Sequence, residues 1–145
     1  MQKIAAHLNE NHKKYKIITP YEAQKNHLQN TLKAAGMRWE NKCFNVDSFQ
    51  GSFCWFNYDP FLLICMAGNE EDYIIISLVR SEAIGFLTDF RRTNVMLSRC
   101  KKGMFICSSW NFLDGIGKDT LVGQMARFCG DKAWIGMEHL EQGLF

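Results

Sequence analysis

Residues 73–79 read YIIISLV, a near-continuous apolar run rich in isoleucine. A strand with one wet face alternates apolar and polar residues. A run that does not alternate suits a strand buried on both faces, as inside a parallel sheet covered by helices on each side. The rest of the chain supplies those helices. Gln2–Glu10 carries Ile4, Ala5 and Leu8 at helical spacing. Residues 22–35 set Ala23, His27, Leu28, Leu32 and Ala35 near one face, with Gly36 placed as a stop. Tyr15–Thr19 reads as a strand ended by Pro20, residues 43–46 and 103–107 as further strands, and residues 120–128 as a last helix. Asp89 is placed to cap a helix bearing Arg91 and Arg92, its charge matching that helix end. Alternating strands and helices predict one α/β domain built on a parallel sheet with helices on both faces.

Composition narrows the function classes. At 145 residues the chain suits a single domain with a sizeable core. Its net charge is only +2, from 17 basic and 15 acidic side chains, so any contact with nucleic acid has to be local. The cysteines at 43, 54, 65, 100, 107 and 129 show neither CxxC nor metal-ligand spacing, and no metal site is expected. They read as reduced thiols in an intracellular protein, nuclear or cytoplasmic. The polar N-terminus is no signal peptide, and no apolar run approaches the roughly 20 residues that span a bilayer, so no membrane is expected.

Residues 85–106, GFLTDFRRTNVMLSRCKKGMFI, concentrate the chemistry. Arginine is permanently charged and offers a planar fork suited to phosphate oxygens. Arg92 and Arg99 are seven apart, a spacing that places both on one helix face about two turns apart. On charge alone this is a solvated basic face; the wording around the arginines points elsewhere. RRTNVMLSRCKKGMFI resembles motif VI of superfamily 1 helicases, in the group that includes the nonsense-mediated-decay helicase and senataxin. IITPYEAQK (17–25) resembles motif IV. NVDSFQG (45–51) taken with NEEDYIIISLVRS (69–81) resembles motif V. The motifs stand in the family's order and the resemblance extends from about Tyr15 to Leu121.

The resemblance implies the second of two RecA-like motor domains, the one that completes an ATP site from the far side and contacts single-stranded RNA or DNA. In such motors the first domain supplies the phosphate loop and the metal ligands, and the second supplies arginine. Arg99 matches the last arginine of motif VI and is the candidate arginine finger; Arg91 and Arg92 would brace the cleft or pair with acidic groups. Gln50, Gly51 and Glu70 match the part of motif V that meets the nucleotide, Glu70 reaching the ribose or a cleft arginine. Thr19, Tyr21 and Ser48 would face the phosphodiester track, hydroxyls there touching phosphate without reading bases. ATP and Mg would be held mainly by the first domain, since no GxxxxGK[ST] loop occurs in this chain. The chain therefore reads as a fragment, inactive alone, whose partner is a first motor domain normally in cis. A non-catalytic module binding nucleic acid or protein is the alternative.

Residues 52–68, SFCWFNYDPFLLICMAG, interrupt motif V. Without them the text runs NVDSFQGNEEDYIIISLVRS in unbroken family form. An aromatic-rich insertion of this kind is costly on a surface, and it reads as a short intron translated in frame; a genuine surface insertion is the alternative.

Overall fold

The computed structural model describes residues 1–49, 70–78 and 83–143. Gln50, Gly51, the insertion at 52–68 and the end of motif V beyond Leu78 lie outside these residues.

Four parallel strands form one sheet: β1 (Tyr15–Thr19), β2 (Cys43–Asn45), β3 (Glu71–Ser77) and β4 (Cys100–Cys107), in the order β2-β1-β3-β4. The helices are α1 (Gln2–Glu10), α2 (Glu22–Ala34), α3 (Phe90–Leu97), α4 (Trp110–Asp114), α5 (Leu121–Cys129) and α6 (Met137–Gln142). The isoleucines of β3 explain the layering. Ile75 packs with Ile17, Leu28, Leu32 and the α1 residues Ile4, Ala5 and Leu8. Ile74 and Ile76 point the other way, into Ile18, Met96, Phe112 and Val122. All three are fully buried, so helices cover both faces as the apolar run predicted. This is the α/β architecture of a RecA-like domain, with chain direction across the sheet reversing between β1 and β3.

Local signals account for the element ends. Gly36 follows α2 at φ +68°, a left-handed conformation that glycine adopts cheaply. Asp89 caps α3, its carboxylate accepting the Arg92 N–H at 3.1 Å. Thr120 caps α5, accepting from the Gly123 N–H at 3.2 Å.

Two expectations need correction. Arg92 and Arg99 do not share a helix face: α3 ends at Leu97, Ser98 is its cap, and Arg99 lies beyond it. The sheet wins over the helix there, because the Arg99 carbonyl accepts the Glu71 N–H at 3.3 Å and Cys100 pairs with Glu71. For the same reason β3 and β4 begin earlier than the apolar pattern predicted. Their polar first turns are held by the ladder and by the Lys102–Asp72 ion pair at 2.9 Å.

Candidate functional site

The predicted site residues fall on two opposite edges of the sheet. At the ends of the strands lie the residues after β1 and β2. Tyr21 is half-buried and Ser48 exposed. The Ser48 hydroxyl donates to the Asn45 carbonyl at 2.9 Å and accepts from the Asn45 N–H at 3.1 Å. The Asp47 N–H donates to Asn45 Oδ1 at 3.1 Å. Side chains thus hold this turn in shape in the way asparagine and serine commonly do. Thr19 is a second correction to the site itself: it is fully buried, and its hydroxyl accepts the Tyr21 N–H at 3.4 Å. Its place at the end of a central strand puts it under the turn, with no surface to offer a phosphodiester. Gln24 Nε2 donates to Ser77 Oγ at 3.4 Å across the point where the chain reverses. In open α/β sheets that crevice is where ligands gather.

Arg92 belongs to this edge. Its Nε donates to Asp47 Oδ1 at 3.1 Å and its Nη2 to Asp47 Oδ2, a two-point clasp. The guanidinium carbon stands 4.6 Å from the centre of the Phe86 ring. Asp47 holds the Arg92 pKa above its ordinary value, mainly through this hydrogen bond. Arg91, its neighbour, is exposed.

At the other edge, where β3 and β4 begin, stand Glu70 and Arg99. Arg99 is half-buried, and its Nε is buried without a hydrogen-bond partner among the described residues. Burial pulls its pKa below the ordinary arginine value, and the nearby Glu70 carboxylate opposes that shift. Lys101 lies 4.0 Å from Glu70. The structure therefore brings Arg99 and Glu70 together and sets both apart from Arg92. Sequence reasoning missed Asp47 and Phe86, and nothing local marks them, because each acts through a residue distant in the chain.

Among the described residues no group of three or more His, Cys, Asp or Glu side chains is arranged to hold a metal ion. The Arg99 guanidinium and the Glu70 carboxylate suit phosphate and ribose hydroxyl rather than Mg. No described helix is long and apolar enough to cross a membrane.

A family model described as an AAA domain matches residues 65–111, a span that includes β3, α3 and β4. A regulator of nonsense transcripts 1 homolog of Neurospora crassa is 37% identical over 98 residues, 62% of this chain and 7% of that protein. The ATP-dependent helicase NAM7 of Saccharomyces cerevisiae is 36% identical over 98 residues, 62% of this chain and 8% of its own length. An ATP-dependent helicase of Methanocaldococcus jannaschii is 34% identical over 104 residues, 69% of this chain and 13% of its own. The chain spans less than a tenth of the first two relatives and little more of the third. Motif order, fold and these likenesses agree: the chain belongs to the superfamily 1 helicases of the nonsense-mediated-decay type.

Proposed function

We propose that this chain serves as the second RecA-like motor domain of an ATP-dependent helicase, with Arg99 as its arginine finger and single-stranded RNA or DNA passing along the edge of Tyr21 and Ser48. The observation that carries the reading is the buried, partnerless Nε of Arg99 beside Glu70, at the edge where the strands begin. A phosphate loop follows its strand, so a motor domain holds its own nucleotide at the opposite edge. An arginine at the starting edge can serve only a nucleotide held by another domain. That is the arrangement of a finger supplied from outside.

In this reading Arg99 and Glu70 arrive already oriented. The half-buried guanidinium donates to oxygens of the transferring phosphoryl group as charge spreads over them. Glu70 offsets part of the cost of burying the Arg99 charge and takes up a ribose hydroxyl. Gln50 and Gly51, which the resemblance assigns to the nucleotide, lie outside the described residues. Mg, when bound by the first domain, would neutralise phosphate charge; the described residues of this chain supply no ligand set for it. Ser48 and Tyr21 touch the strand's backbone without reading bases, as a motor that moves along any sequence requires. The protein is then intracellular, in nucleus or cytoplasm.

The test restores a first motor domain to make a two-domain protein. Arg99→Ala should leave nucleotide binding largely intact and lower turnover by roughly 10³-fold or more, the scale on which arginine fingers act. Arg99→Lys should rescue little, because a point charge cannot reproduce the guanidinium fork. Turnover within a few-fold of the parent would remove Arg99 from the chemistry. Metal-dependent ATP hydrolysis by the 145-residue chain alone would overturn the second-domain reading, and tight, base-specific strand binding would favour a non-catalytic module.

A further inference from the structure

We infer that Asp47 is a positioning residue: by clasping Arg92 it locks the first turn of α3 to the turn after β2, so that α3 carries the state of the strand-end edge across to Arg99. The inference deepens the arginine-finger reading and rests on it.

Arg92 is pinned twice. Its backbone N–H is taken by Asp89, and its guanidinium is taken by both oxygens of Asp47 while one face lies over Phe86. The fork fixes direction as well as distance, and the ring fixes the plane. Asp47 sits on an equally stiff base. Asn45 binds Asp47 and Ser48 through the bonds described above, and its carbonyl accepts the Phe49 N–H at 3.0 Å. Phe49 itself is fully buried.

The helix between the two edges is short and rigid. Eight residues make about 12 Å of α-helix, and buried Thr93 and Met96 seat its inner side. Its far end passes through Ser98, whose N–H donates to the Asn94 carbonyl at 3.0 Å, straight to Arg99. A displacement of the turn at 45–49, such as a strand pressing on Ser48, is thus handed along α3 rather than absorbed in a loose loop. The clasp is partly open to water, the side chains of Arg92 and Asp47 being 43% and 55% exposed. Exposed pairs add little to global stability, so the role assigned to this one is geometric and separable from folding.

The experiment uses the 145-residue chain without ligand. It compares Asp47→Asn, Arg92→Lys, the reversed pair Asp47→Arg with Arg92→Asp, and Asn94→Ala as a control on an exposed position of the same helix. Asp47→Asn should leave the melting temperature within about 3 °C of the parent. Amide exchange at Phe49 and at Thr93 should quicken together by roughly 3- to 10-fold while Ile75 is unchanged. The Arg99 Nε–H resonance should move. Arg92→Lys, which keeps charge but loses the fork, should behave like Asp47→Asn, and the reversed pair should return both readouts towards the parent. An Arg99 resonance that moves no more than in Asn94→Ala overturns the inference. So does faster exchange at only one of the two turns, or a uniform quickening that includes Ile75. None of these readouts involves nucleotide or turnover, so failure here is distinguishable from failure of the finger assignment.

Discussion

Replacing Thr93 by valine should stabilise this protein, although threonine-to-valine is not usually an improvement. Thr93 is fully buried on the inner side of α3, and its Oγ1 is buried without a hydrogen-bond partner among the described residues. A buried hydroxyl left unpaired costs about 1–3 kcal/mol of desolvation. Valine removes that group and places a methyl in almost the same volume, where burial contributes on the order of 0.8 kcal/mol. Helix propensity does not decide the matter, since the two residues rank together. The sum is a gain of about 2–4 kcal/mol, which for a chain of this length raises the melting temperature by roughly 6–13 °C.

The assay is thermal unfolding followed by circular dichroism, with Thr93→Ser as companion. Serine keeps the orphaned hydroxyl and deletes the methyl, so it should be destabilised by about 1 kcal/mol or more. Valine up and serine down separates the polar from the apolar contribution at one site. A Thr93→Val protein that melts at or below the parent temperature would refute the reasoning, and would mean that the hydroxyl has a partner in solution.

Gly123→Ala carries the opposite surprise. Propensity favours alanine in a helix by up to about 1 kcal/mol, but a Cβ at Gly123 would meet the Gly117 carbonyl oxygen at 2.3 Å and the Lys118 carbonyl oxygen at 2.8 Å. Backbone cannot swing aside as a side chain does, so the expected result in urea unfolding is a loss of about 1–3 kcal/mol; a gain would show the contact to be slack. Burial pushes the Cys43 thiol from 9.0 up to about 11. The folded state then holds that proton more tightly than the unfolded one, and its contribution, complete below pH 9, is lost as pH rises towards 11. Melting temperatures measured across that window should fall less steeply in Cys43→Val than in the parent. Strand binding by the chain alone, measured by fluorescence anisotropy on a labelled oligonucleotide, should be weak with a shallow slope in log salt, because few phosphates are contacted. A steep slope would require a basic surface that the strand-end edge lacks.

The parts of this fold legible in the sequence are those set by neighbours in the chain. The YIIISLV run announced a strand buried on both faces, and Ile74, Ile75 and Ile76 bear it out. Asp89 before an arginine-bearing helix announced its cap, and Gly36 its helix stop. What failed was set by the sheet. A seven-residue spacing puts Arg92 and Arg99 on one face only if the helix continues, and the ladder to Glu71 ended it. Thr19 was read as a track-facing hydroxyl from its place in motif IV, yet a central parallel strand buries its last residue. Asp47 and Arg92 are 45 residues apart and meet only because β2 and the start of α3 end at the same edge. Short α4 and α6 carry too few residues for a period to show.

The same topology bears on how a chain with a net charge of +2 would address a polyphosphate if the proposed function holds. The starting edge of the sheet is crowded with charge, but most of it is already committed. Lys102 is held by Asp72 and Lys101 lies near Glu70. Lys42 donates to the Tyr15 carbonyl at 3.2 Å and covers that residue's ring at 4.2 Å. Lys16 rests over the rings of Phe44 and Phe49. Against these partnered cations Arg99 stands apart, with a buried Nε that has nothing to bond. A diffuse basic surface would attract any polyanion and be screened by salt. In the proposed function a single guanidinium, half out of water beside the Glu70 carboxylate, would instead meet an oxygen delivered at one point by another domain. Its low cost to overall charge is the reason the composition looked so ordinary.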